Sequence, residues 1–155
     1  MARGKERFDQ MQVLQGLAGL KSSPRGAVLT VGNFDGIHRG HAAILQTAAS
    51  LRAARAASGG VTVVTFEPHP LTVLRPALAP PRLTPPSIKQ SLLAAAGVDT
   101  LVILPPDSEV LNLTAENFWA ILRDDVRPAA MVEGNSFTFG KGRGGCGQGG
   151  QDRKE

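Results

Sequence analysis

Four short apolar runs break up this chain, each too brief for a buried helix and each lying close to a glycine or proline. Residues 27–31, 61–66, 100–104 and 129–132 are apolar or β-branched almost throughout. That pattern predicts strands covered on both faces, as in a parallel sheet. Between them lie longer stretches of helix formers. From about Gly40 to Ala57, alanine, leucine and isoleucine continue until Ser58-Gly59-Gly60 stops them. Ser87 to Ala96 predicts a second helix, with Thr84 and Ser87 as cap candidates and Gly97 as its end. Thr114-Ala115-Glu116-Asn117 resembles an N-cap ahead of a third helix from Phe118 to Arg123. Residues 11–20 are weakly amphipathic and stand outside this alternation. The order β-α-β-loop-α-β-α-β predicts an α/β domain: a doubly wound parallel sheet with right-handed crossovers and helices on both faces.

The connections sharpen this outline. Five prolines between residues 75 and 86 predict an ordered loop, and seven glycines between 140 and 150 predict a disordered tail. With 155 residues, 42% of them hydrophobic, the chain suits one core. Its net charge of +4 resides at the two ends, and residues 8–140 balance ten basic against ten acidic side chains. A nucleic-acid-binding face would concentrate that charge on the fold, so the distribution argues against such a partner. A single cysteine, Cys146, permits no internal disulfide and fits a reducing compartment. No apolar run approaches the ~20 residues that cross a bilayer, and no apolar core of a secretory signal follows the charged start, so a cytoplasmic protein is expected.

Candidate chemistry gathers at the ends of the first two predicted strands. Gly32-Asn33-Phe34-Asp35-Gly36-Ile37-His38-Arg39-Gly40-His41 follows one, and Glu67-Pro68-His69-Pro70 follows the other; these segments hold all three histidines. Parallel sheets bind ligands at the carboxyl ends of their strands, so the two segments are expected to converge. A glycine turn leading into a helix offers backbone N–H groups and a positive dipole end to phosphates. His38 and His41 can donate to phosphoryl oxygens as charge develops, Gly40 permits close approach, Gly32 and Gly36 do the same for the turn, and Asn33 can orient a phosphate or the loop. This suits nucleotidyl transfer, in which the protein mainly positions and stabilises charge. The other reading of the same residues is zinc held by His38, His41 and Asp35. Magnesium carried by substrate phosphates suits the chemistry better than a metal held by the protein.

The motifs together resemble the adenylyltransferase module of bacterial FAD synthetases, the bifunctional riboflavin kinase/FMN adenylyltransferases. The resemblance rests on G-N-F-D-G-I-H-R-G-H at 32–41, T-F-E-P-H-P at 65–70, R-L-T at 82–84 and F-T-F-G-K-G-R at 137–143, and spans about residues 11–143. It implies a Rossmann-like sheet of the H-x-G-H nucleotidyltransferase type and transfer of AMP from ATP to FMN, giving FAD and pyrophosphate with Mg2+. It also implies that His38 and His41 contact ATP phosphates over a turn shaped by Gly32, Asn33, Phe34, Asp35 and Gly36. FMN is implied near Pro68, His69 and Pro70 and near Gly134, Asn135 and Ser136. Phe118 and Trp119 read as core rather than a flavin platform.

Departures from the family pattern predict what this chain lacks. Ser136 stands where Asp or Asn is usual, with Asn135 one place earlier. Beyond Arg143 neither the arginine-ended motif nor the riboflavin kinase barrel of the family is recognisable, which predicts an incomplete domain with a ten-residue extension at its start. Two alternatives remain open at this stage: a truncated, catalytically dead remnant that keeps the fold and ligand binding, and an H-x-G-H transferase for another phosphate substrate. A sheet cut after its fourth strand also predicts self-association through an unpaired edge.

Overall fold

A computed structural model describes residues 10–35, 39–79, 81, 84–134, 138–139 and 145–146. Its centre is a five-stranded, all-parallel sheet in the order β1-β4-β3-β2-β5. The strands are β1 (Gln12–Gln15), β2 (Val28–Val31), β3 (Val61–Phe66), β4 (Thr100–Leu104) and β5 (Ala130–Met131). The helices are α1 (Gly16–Lys21), α2 (Arg39–Ala54), α3 (Leu71–Leu74), α4 (Pro86–Ala95), α5 (Ser108–Leu111) and α6 (Ala115–Ile121), the last running into a π-turn at Leu122–Val126.

Side-chain alternation along the strands builds two cores. On one face Val28, Val61, Val63 and Leu101 meet Leu45 and Ala48 of α2 and Leu93 and Ala94 of α4. On the other, Leu29, Val64, Val102 and Leu104 meet Leu20 of α1, Val110 of α5 and Phe118 of α6. All residues of β2, β3 and β4 are buried, which explains runs with no polar alternation. Phe118 is fully buried and meets the Trp119 ring edge-on at 6.1 Å between centroids, a core role for that pair.

The doubly wound α/β architecture and four of the strands stand as the apolar runs predict, but the sheet has a fifth strand. Residues 12–15 pair with β4 along its outer edge. Their exposed, partly polar pattern carries no continuous apolar run, so pairing with Thr100 to Ile103 decides their conformation. Two helix starts differ as well. Thr114 does cap α6, its hydroxyl accepting from Asn117 N at 3.1 Å. Neither Thr84 nor Ser87 caps α4: that helix opens on Pro86, which needs no N–H partner, and Thr84 turns to Asp35 instead. The single turn of α3 precedes the proline-rich loop, which contains a 3-10 turn at Pro76–Leu78. β6 (Thr138–Phe139) pairs antiparallel with β7 (Gly145–Cys146), and only β7 lies in the glycine-rich tail where sequence composition alone predicts no order. Residues 1–9 of the predicted ten-residue extension, and all of the predicted tail but Gly145 and Cys146, lie outside the described residues.

Loops at the amino ends of the strands are tied to one another. Val28 N donates to Gly60 O at 2.8 Å, Gly26 N to Arg127 O at 3.0 Å, and Asp99 N to Val61 O at 3.0 Å. The Asp99 carboxylate accepts from Val61 N and from Arg52 Nη1, both at 2.8 Å. Gly60 makes this possible: its φ is +74°, and a Cβ there would lie 2.5 Å from Asp99 Oδ2. Gly60→Ala is expected to lower unfolding stability by about 1–3 kcal/mol through backbone strain and displacement of Asp99. Denaturant unfolding of the two proteins side by side measures it.

Candidate functional site

Register places the chemistry. Val28 to Val31 pair in parallel with Val61 to Val64, so the chain leaves β2 and β3 on the same edge of the sheet. The turn after β2 and the proline rim after β3 therefore face each other, as sequence predicts. They enclose a cleft of about 240 Å3 lined by Asn33, Asp35, Phe66, Glu67, Pro68, His69, Thr72 and Lys89.

The turn is built around a buried ring. Phe34 is 1% exposed at φ +50°, a conformation that costs a non-glycine residue about 1–3 kcal/mol. Burying a phenyl side chain returns about 1.5–3 kcal/mol, enough to hold it there. Gly32 lets the ring fold back, because a Cβ at that position would lie 3.1 Å from Phe34 Cε2. The His41 ring at the start of α2 rests on Phe34, centroids 4.9 Å apart. Phe34 thus supports the turn from below, with its ring in the core.

Hydrogen bonds fix the polar groups around it. Thr65 Oγ1 donates to Asn33 O at 2.9 Å, holding the Asn33 backbone, while Asn33 Oδ1 is buried without a hydrogen-bond partner among the described residues. A buried carbonyl oxygen in that condition costs about 1–3 kcal/mol. Asp35 Oδ1 accepts from both Thr84 N and Thr84 Oγ1 at 2.9 Å. The acidic residue of the first motif thus fastens the proline-rich loop to the cleft. His69 Nδ1 accepts from Leu71 N at 3.1 Å, which in the neutral ring puts the proton on Nε2 and leaves that nitrogen as the donor. The Glu67–Pro68 peptide is cis.

Two groups lining this cleft stand out less in the sequence. Lys89 of α4 is 4% exposed, and its Nζ stands 3.6 Å from Glu67 Oε2. A lone lysine in an apolar helix reads as a surface residue. The signal that finds it is its position four residues before the fully buried Leu93, on the stripe α4 turns to the core. Thr72 of α3 carries no motif at all.

On the far side of β2, Glu133 and Gly134 follow β5. Gly134 lies against Ile44 of α2, which would stand 3.4 Å from a Cβ there. Glu133 is half-buried, its Oε1 lacking a hydrogen-bond partner among the described residues, and burial raises its pKa above the usual carboxylate value. Gly40 occupies the first turn of α2, and Pro70 begins the turn of α3. Gly36, His38, Asn135 and Ser136 lie outside the described residues. Among the described residues no group of three His, Cys, Asp or Glu side chains could hold a metal ion, and no helix is long and apolar enough to cross a membrane.

Two measurements follow from these contacts. Thr84→Val removes one bond to Asp35 and is expected to cost about 0.5–1.5 kcal/mol in denaturant unfolding; Asp35→Ala, which removes both, should cost more. Glu133 holds its proton more tightly folded than unfolded, so its contribution to stability falls as pH rises from about 4.3 through its raised folded value. Glu133→Gln should therefore raise the melting temperature at pH 7, with the gain shrinking toward zero near pH 4.

Comparison with known proteins identifies the family. A family model for FAD synthetase matches residues 20–153, starting later than the motif resemblance and running ten residues past Arg143, where recognisable motifs stop. The bifunctional riboflavin kinase/FMN adenylyltransferase of Escherichia coli K12 is 39% identical over 135 residues, covering 86% of this chain and 42% of that protein. The FAD synthetase of Listeria monocytogenes is 38% identical over 120 residues, covering 77% of this chain and 48% of its own length. A solved Streptococcus pneumoniae structure, described as a macrolide-efflux protein, has a TM-score of 0.71 at 28% identity, covering 84% of this chain and 44% of that one. The chain thus spans less than half the length of the relatives it matches. With the family model covering most of its residues and a nucleotidyltransferase-type parallel sheet beneath the motifs, this chain belongs to the FAD synthetase family.

Proposed function

We propose that this chain is an FMN adenylyltransferase, joining AMP from ATP to FMN. The observation that carries the reading is the convergence of the G-N-F-D turn and the E-P-H-P rim on one cleft at the carboxyl edge of β2 and β3. In the reaction an oxygen of the FMN phosphate forms a bond to the α-phosphorus of ATP. The bond from that phosphorus to the bridging oxygen breaks, and pyrophosphate leaves.

The chain's contribution is position and charge stabilisation. The triphosphate lies over the start of α2, with His38 and His41 donating to its oxygens. Asn33, Gly32 and Gly40 shape that ground, and Asp35 holds the loop through Thr84. The flavin enters between the Pro68-His69-Pro70 rim and the segment 134–136. No described side chain would need to hold magnesium: bound through the triphosphate, it would supply neutralisation of phosphate charge at that place. ATP as substrate and the lone Cys146 suit the cytoplasm.

FAD formation from ATP, FMN and magnesium by the purified chain tests this, with His41→Ala and His38→Ala as controls. FAD is expected from the wild type and a loss of about 100-fold or more from either variant, the usual range for removing a donor to developing charge. Folded wild-type protein that makes no FAD would overturn the proposal.

A further inference from the structure

The ion pair of Glu67 and Lys89 is poorly explained as a stabilising contact. A buried ion pair rarely stabilises a fold more than apolar side chains of similar size, because both charges lose water. Here the Lys89 side chain is 5% exposed and that of Glu67 18%, and both line the cleft. Their surroundings suit a flat, largely apolar ligand with a polar edge. Phe66 and Pro68 supply walls, and the ion pair supplies an acceptor next to a donor.

Charge decides which part of a ligand belongs there. Among the described residues the cleft is lined by two carboxylates, Asp35 and Glu67, against one ammonium, so a phosphate placed among them meets net repulsion. An uncharged ring edge does not. The pyrimidine end of an isoalloxazine carries an N–H between two carbonyl groups, the complement of an acceptor flanked by a donor.

We infer that Glu67 and Lys89 read the pyrimidine edge of the flavin: Glu67 accepts from the ring N3–H, and Lys89 both holds Glu67 in place and donates to an adjacent carbonyl. The FMN phosphate is thereby directed out of the cleft toward the start of α2. This rests on the proposed transfer to FMN and adds which residues select the flavin ring.

The test measures binding of FMN, N3-methyl-FMN and ATP to the full chain, by flavin fluorescence and calorimetry. Wild type is expected to prefer FMN over its N3-methyl analogue by about tenfold, the loss of one hydrogen bond in a buried site. Glu67→Leu/Lys89→Met, which removes both charges at similar volume, should bind FMN about tenfold more weakly, lose that discrimination and keep its ATP affinity. Lys89→Arg, which retains a charged donor, should keep the discrimination. Equal binding of the two flavins by wild type overturns the inference without any variant, as does a folded double variant that still discriminates or loses ATP and FMN affinity together. Wild type that binds neither FMN nor ATP overturns the adenylyl-transfer reading as well, so the two failures are distinguishable.

Discussion

Parallel pairing of β2 with β3 is the constraint on which the rest of this molecule depends. Two parallel neighbours need a crossover between them, and α2 supplies it. The same pairing forces both strands to release their chains on one edge. The glycine turn and the proline rim thus become neighbours although His41 and His69 are far apart in sequence. Complete burial of both strands keeps the register from slipping, since a shift of one residue would exchange the contents of the two cores.

Apolar forces set the frame of the cleft and polar contacts finish it. Phe34 accepts an unfavourable backbone conformation because its ring fills space beneath the turn, and Gly32 leaves room for it. Above that ring the contacts are directional: Thr65 on Asn33, Thr84 on Asp35, Leu71 on His69. The first two tie residues of the turn to another segment, and the third fixes His69 within its own. An error in the apolar layer would therefore displace several polar groups at once, whereas loss of one polar contact frees only its own segment.

Much of this was legible in the sequence, for definite reasons. Strands with no polar alternation announce a parallel sheet, and its topology then predicts that the segments after residues 31 and 66 converge. What remained illegible depended on partners distant in sequence. Gln12 to Gln15 form a strand because β4 offers a free edge, and nothing local in those four residues says so. Thr84 has the chemistry of a helix cap, but Asp35 competes for it and wins with two bonds to one oxygen. Lys89 resembles a solvated charge until α4 is docked, when its place on the core stripe brings it to Glu67. In each case local propensity was overruled by a contact the sheet had first to create.

The sheet also has two unlike ends. At the amino ends of the strands, backbone bonds link the loops before β2, β3, β4 and β5, and the Asp99 carboxylate ties β3 to Arg52 of α2. At the carboxyl ends, Gly32 N donates to Val64 O and Glu67 N to Leu104 O, and side-chain contacts hold Asn33 and His69 beside them. The carboxylate of Asp99 sets the first end apart: one side chain there is shared by the last turn of α2 and the first residue of β3, so the crossover is clamped where it returns to the sheet and β3 begins from a fixed point.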